Sequence, residues 1–193
     1  MSEPAARERI LHATLALIGE QGMAGVTNRA VAARAGVSLG SLTYHFGSQT
    51  DLLREALLLF VGREAERLAA LGDGLGDGAT PELDEVAAAV QRIVQAADRR
   101  EVLAQLELYL QASRDPRLRE VAARAYAAYD DAARTVLVAL GVPDPEPLIP
   151  AVVALVDGFE LRRLALDAPA DPADPALVDG LTSLVRAGRA ARA

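Results

Sequence analysis

Ser38, Ser41, Thr43, Tyr44 and His45 gather hydroxyl, phenol and imidazole groups in one short stretch around Gly40. Their shared chemistry is hydrogen bonding, as donor and as acceptor. Such groups suit base edges and phosphate oxygens, and a glycine among them lets backbone approach a partner closely. The rival chemistry is nucleophilic, because Gly36-Val37-Ser38-Leu39-Gly40 matches the G-x-S-x-G elbow of hydrolases. That elbow is a strand-to-helix turn. Here a helical pattern precedes the serine, and the only downstream histidine, His45, follows seven positions later. No triad order fits, so the chain is read as a non-enzyme.

The elements that must position these groups are legible in the run TNRAVAARAGVSLGSLTYHF, residues 27–46. An alanine-rich helix is predicted over 28–35, with Thr27 as its N-cap. Gly36 stands where the chain must leave that helix through a left-handed residue. Ser38 then caps a second helix reaching Phe46. Helix, glycine turn and capped helix form a helix-turn-helix, whose second helix enters the DNA major groove. Ala32, Val37, Leu42 and Phe46 are its apolar side, leaving the polar set outward.

A first helix over 5–21 completes a three-helix head. Its core is predicted to be Ile10, Leu11, Leu15, Ile18, Val26, Val31, Ala32, Leu42 and Phe46. Ser48 to Asp51 is a capping box by type and opens a long helix over 49–71. A glycine-rich linker spans 72–82. Its Gly-Asp repeats lack the acid spacing of a calcium loop and the preceding strand of a nucleotide-binding turn. Helices follow over 81–97, 100–113, 117–140, 148–166 and 176–190, and no strand pattern occurs. The helix over 148–166 is apolar on more than one face, which implies burial inside the domain or between subunits. The expected fold is all-α with about nine helices. A DNA-binding domain over 1–48 precedes a helical ligand-binding and dimerisation domain over 49–193.

Composition narrows the partners. The 193 residues contain no cysteine and two histidines, His12 and His45, so neither disulfides nor a histidine metal cluster is expected, and no cofactor is called for. No apolar run reaches membrane-spanning length and no secretory pattern opens the chain, so a cytoplasmic protein without membrane partners is expected. The net charge of −7 is unevenly spread. Residues 1–50 carry four arginines against three acids, 4 − 3 = +1; the remainder carries 16 arginines against 24 acids, 16 − 24 = −8. All the basic residues are arginine. The acidic excess lies outside the groove-reading stretch.

The run 27–46, followed by the Gly-Ser-x-x-Asp-Leu-Leu start of the next helix, resembles the signature of the TetR family of bacterial transcriptional regulators. The resemblance covers about the first 60 residues strongly, and the later helices agree in number and order. It implies a homodimer formed through the last two helices, a small-molecule effector bound among the C-terminal helices, and a double-stranded DNA operator. Carried over by position, Thr27 and Tyr44 would contact phosphates. Arg29, next to Asn28, would reach a phosphate or a guanine edge. Ser38, Leu39, Gly40, Ser41 and Thr43 would face the groove. His45 would donate to phosphate or tie the head together. Where the family often has lysine this chain has Gln49, which can donate a hydrogen bond but brings no charge.

The effector site is expected from concentrated aromatics and nearby polar groups: Gln105 and Tyr109 on one helix, Tyr126, Tyr129 and Asp130 on the next, and Phe159 beyond, with Asp157, Glu160 and Arg162 as further candidate polar groups. Gln105 with Tyr109 and Tyr126 with Asp130 are four apart, so each pair shares a helix face. The same tyrosines would serve equally as core or dimer-seam residues. The expected function is a ligand-responsive regulator, most simply a repressor released from a palindromic operator by a small molecule. The alternative is a helical interaction protein whose head no longer binds DNA.

Overall fold

The computed structural model describes residues 3–74, 98–168 and 175–190. They form eight α-helices and one 3-10 turn: α1 (Glu3–Gln21), the turn Met23–Gly25, α2 (Asn28–Ala35), α3 (Leu39–His45), α4 (Gln49–Gly74), α5 (Arg99–Ala112), α6 (Pro116–Ala139), α7 (Ile149–Ala165) and α8 (Pro175–Ala190). No strand occurs among the described residues. The helix expected over 81–97 lies outside them. A linker is expected from residue 72, but α4 continues through Gly72, Asp73 and Gly74, and the rest of that expected linker lies outside the described residues. Glycine weakens a helix without forbidding it. Among the described residues no helix is long and apolar enough to cross a membrane.

Contacts divide the chain into two compact units, Met1–Arg63 with Asp98–Ala125, and Glu64–Ala97 with Tyr126–Ala193. The first holds α1 to α3, the start of α4, α5 and the start of α6. All nine residues expected in the head core are buried there. Ile10, Ile18, Val31, Leu42, Leu52, Leu57, Leu108 and Leu118 are almost wholly excluded from water. Each such side chain contributes roughly 1.5–3 kcal/mol of burial, offset by the entropy of ordering it.

Polar ties within this unit are local and specific. Gly19 brings α1 so close to α5 that a methyl group there would stand 2.1 Å from the Arg100 carbonyl oxygen. Glu20, the next residue, accepts from both terminal nitrogens of Arg34 on α2, at 2.7 and 2.8 Å, and pairs with Arg100 on α5 at 3.2 Å. Hydrogen bonding and charge from Arg34 hold the Glu20 carboxyl below its ordinary value. Asp98 and Asp115 cap α5 and α6, accepting from Arg100 N and Arg117 N at 2.9 Å each. Asp115 precedes Pro116 at the first helical position, where the missing N–H costs nothing.

In the second unit Ala133, Val136, Leu137, Leu140 and Val142 pack with Ile149 of α7 and Val185 of α8. Gly188 lets α8 lie against Leu148 and Val142, and Gly180 lets it lie against Leu155. Arg189 closes the corner by donating from Nε to the Leu140 carbonyl at 2.8 Å. The apolar α7 is not buried on several sides within one chain. Only Ile149 and Leu164 are fully buried on it, while Leu161 is 55% exposed. Val152 and Val153 are partly buried against that core, so the domain covers part of the helix's apolar surface.

Candidate nucleic-acid interface and ligand site

Local chemistry builds the helix-turn-helix as its residues dictate. Thr27 has extended backbone and its hydroxyl accepts from Ala30 N at 3.2 Å, capping α2. Gly36 ends α2 at φ 64°, ψ 39°, a left-handed conformation that costs a β-carbon about 1–2 kcal/mol. Around it Val37 N donates to Ala32 O at 3.0 Å and Gly36 N to Ala33 O at 3.3 Å, the paired bonds that satisfy a helix C-terminus. Ser38 caps α3 by accepting from Ser41 N at 3.0 Å. Leu42 and Phe46 point into the core, whereas Val37 is only half-buried. Ser48 caps α4 by accepting from Asp51 N at 3.1 Å and donates its proton to the Asp51 carboxylate at 2.7 Å.

That pinning turns one face outward. Thr27, Asn28 and Arg29 are exposed at the start of α2. Ser38, Leu39, Gly40, Thr43 and Tyr44 are exposed along α3, Tyr44 to 76%, and Ser41 and His45 are half-buried beside them. The capping hydroxyls of Thr27 and Ser38 use an acceptor lone pair and keep a proton to donate, as phosphate recognition requires. Thr43 is the reverse. Its proton is directed to the Leu39 and Gly40 carbonyls at 3.2 and 3.1 Å, leaving lone pairs for a base amino group. A β-carbon on Gly40 would meet nothing nearer than Ser38 Oγ at 3.8 Å, so no intramolecular contact requires glycine there.

The head's cations are mostly committed. Arg7 pairs with Glu55 at 2.7 Å and stacks 5.5 Å over the Phe46 ring; Arg34 is held by Glu20; Arg9 donates from Nε to the Ala35 carbonyl. Among the described residues no carboxylate pairs with Arg29. His45 stands edge-on to Tyr44 at 5.4 Å and tilted against Phe46 at 6.3 Å, between surface and core. Gln49 does more than face outward. Its amide donates to the Val26 carbonyl at 2.7 Å, fixing the segment that leads into Thr27. Nothing in the spacing of the two residues announced that bond.

The six residues singled out for a ligand fall in both units. Gln105 and Tyr109 are half-buried on α5 in the first. Tyr126, Tyr129, Asp130 and Phe159 belong to the second. There the Tyr126 and Tyr129 rings meet edge-to-face, 6.1 Å apart and inclined by 71°. The Tyr126 hydroxyl donates to Asp157 on α7 at 3.3 Å, a partner 31 positions away. Phe159 lies two residues beyond Asp157, about 200° round the helix, and so on a different face. Burial pushes the Asp157 carboxyl above its ordinary value, with Glu160 adding to the rise and Tyr126 opposing it. Burial and the adjacent Asp157 charge likewise raise Tyr126, keeping it a protonated donor.

The profile described as bacterial regulatory proteins of the tetR family matches residues 10–56, and that described as a tetracyclin repressor-like C-terminal domain matches residues 81–187. The regulator BetI of Rhizobium meliloti strain 1021 is 30% identical over 175 residues, covering 86% of this chain and 82% of that one. The repressor KstR of Mycolicibacterium smegmatis is 48% identical over 67 residues, which span 35% of this chain and only 31% of that protein. Among solved structures, the multidrug binding protein EbrR in complex with imidazole is 34% identical, with 92% of this chain and 93% of that one covered and a TM-score of 0.71. The same protein has been solved with proflavin and with ethidium. The chain belongs to the TetR family of bacterial transcriptional regulators.

Proposed function

We propose that this protein is a repressor that binds a palindromic operator as a homodimer and leaves it when a small molecule binds. The observation that carries the reading is the outward face of α3 and the first turn of α2, where fixed donors and acceptors are exposed together with Arg29, which pairs with no carboxylate among the described residues. Residues 1–48 read DNA and residues 49–193 bind the effector and dimerise. Thr27, Tyr44 and Arg29 hold phosphates, with Arg29 also in reach of a guanine edge. Ser38, Leu39, Gly40, Ser41 and Thr43 face the groove. Asn28, His45 and Gln49 border it. The dimer forms through α7 and α8. In support, the exposed residues of α7 include Ala151, Ala154, Gly158, Leu161 and Ala165 at alternating spacings of three and four, a stripe on which a second helix can lie closely. The EbrR complexes support a small-molecule effector. Release requires that the effector bind more tightly to a dimer whose heads are spaced wrongly for successive major grooves. The site of action is the cytoplasm.

Anisotropy of the purified protein titrated onto fragments of its own upstream DNA, at several salt concentrations with scrambled DNA as control, tests this. Tight binding to one palindromic fragment is expected, weakened at least tenfold by Arg29→Ala and by Tyr44→Ala. With Arg29 as the one cation of each head that neutralises a phosphate, the salt slope of log K is expected to be about −2 for the dimer. Binding no better than to scrambled DNA across the whole genome would replace this reading with that of a helical interaction protein.

A further inference from the structure

We infer that Leu39 and Thr43 form the base-reading row of α3 and select a half-site that carries a thymine 5-methyl group and, within about two base-pair steps of it, an exocyclic amino group. The inference rests on the DNA-reading function proposed above and names the base features that this face selects. Leu39 and Thr43 stand four apart, so they share one side of the helix and lie about 6 Å apart along its axis. Both are exposed, Leu39 to 44%. Leu39 is the first residue of α3, and the N-terminal residues of a reading helix are those that meet base edges.

This row has no proton to give. A phosphate oxygen only accepts hydrogen bonds, so whatever holds it must donate. Leu39 has no polar side-chain atom. The Thr43 hydroxyl directs its proton to the Leu39 and Gly40 carbonyls at 3.2 and 3.1 Å, and only acceptor lone pairs remain for a partner. Such an acceptor repels phosphate and the keto oxygens of guanine and thymine, and it attracts the amino group of adenine or of cytosine. Leu39 beside it offers the apolar contact that a thymine methyl takes. Ser41 and Tyr44 differ, because among the described residues neither hydroxyl is bonded elsewhere in the chain and each keeps a proton to donate. Between the row and those donors stands Gly40, where a β-carbon would meet only Ser38 Oγ, at 3.8 Å. With no side chain at that position, base edges can come up to the backbone beside the row.

The test selects a bound sequence from random duplexes with the full-length protein, then changes one group at a time in that sequence and reads affinity by anisotropy. Uracil in place of thymine removes only the methyl. Purine in place of adenine, or 2-pyrimidinone in place of cytosine, removes only the amino group and tells the two bases apart. One thymine in each half-site is expected to lose about fourfold in affinity as uracil with the wild type, and nothing with Leu39→Ala. One adenine or cytosine, within about two steps of that thymine, is expected to lose about tenfold without its amino group. Thr43→Ser should keep that loss, and Thr43→Val, which has the branched shape without the oxygen, should abolish it. The salt slope should be the same in all, since no phosphate contact is removed. A methyl penalty that survives Leu39→Ala, or an amino penalty that survives Thr43→Val, overturns the inference. So does a Thr43→Val protein that binds selected and scrambled duplexes more weakly by the same factor, which assigns Thr43 to phosphate. If no sequence is selected, the DNA-reading function and this inference fall together. A sequence that is selected, but whose penalties neither variant alters, overturns the inference alone.

Discussion

Replacing Gly19 with alanine sets two opposing effects of known size against each other. In a helix interior glycine costs roughly 0.5–1 kcal/mol relative to alanine, so propensity alone favours the change. The added methyl, however, would lie 2.1 Å from the Arg100 carbonyl oxygen, 2.8 Å from its carbonyl carbon and 3.0 Å from its Cα. These are backbone atoms of the first turn of α5, so no rotamer change relieves the clash. Restoring ordinary contact requires α1 and α5 to separate by about 1 Å, and overpacking of that kind costs roughly 1–3 kcal/mol. The first turn of α5 also carries the Asp98 cap, the Glu20–Arg100 pair and the Arg63–Glu101 pair at 3.0 Å, all of which resist the shift. The clash should win, and the variant should be less stable by about 1–2 kcal/mol, a fall in Tm of roughly 2–8 °C for a chain this long. Gly62→Ala is the control. That glycine lies within α4 with nothing within 4 Å of an added β-carbon, and the same exchange there should raise Tm by a few degrees. Thermal unfolding followed by circular dichroism at 222 nm reads both. If Gly19→Ala matches Gly62→Ala in stability, α1 and α5 do not pack at the distance described and the reasoning fails.

Two further outcomes follow from residues of the head. Gly40→Ala should stabilise the fold by roughly 0.5–1 kcal/mol, since the new methyl meets only Ser38 Oγ at 3.8 Å, while lowering operator affinity at least tenfold in anisotropy. Undiminished affinity would remove Gly40 from the interface. Glu20→Gln should lower stability at neutral pH by an amount that shrinks on acidification. The folded carboxyl titrates below its ordinary value, so the unfolded chain binds more protons in that window, and the benefit is lost as pH falls through the lowered value. Urea midpoints between pH 7 and 3 check this, and a difference constant across that range would show that the Glu20 charge is not its source.

What could be read from sequence was the chemistry that is local in the chain. The caps at Thr27, Ser38 and Ser48 and the left-handed turn at Gly36 each follow from bonds spanning five residues or fewer, and all are present. The nine core residues of the head were legible because helical spacing alone assigns a face. The bonds that depend on which helix lies against which were not. Gln49 to Val26, Glu20 to Arg34 and Arg100, and Tyr126 to Asp157 join residues whose separation carries no periodic signal. Helix α7 shows the limit from the other side. Its composition announces burial, but composition cannot say against what, and within one chain only Ile149 and Leu164 are fully covered.

The disposition of charge explains how a chain of net charge −7 can be built around a DNA-reading head. Nonspecific affinity comes mainly from phosphate neutralisation. Arg7 is ion-paired with Glu55 of α4, Arg34 with Glu20, and Arg9 is bonded to backbone, so among the described residues Arg29 is the head arginine without such a partner and would act on a phosphate. The other donors on that face, Thr27, Ser41 and Tyr44, are neutral, and neutral donors reward only correct placement. A single head of this kind would hold random DNA weakly, so selectivity would rest on hydrogen-bond geometry and on two heads engaging together. Linking two weak contacts multiplies affinity only when both can be made at once. A modest change in head spacing would then release the operator without altering any residue that touches it.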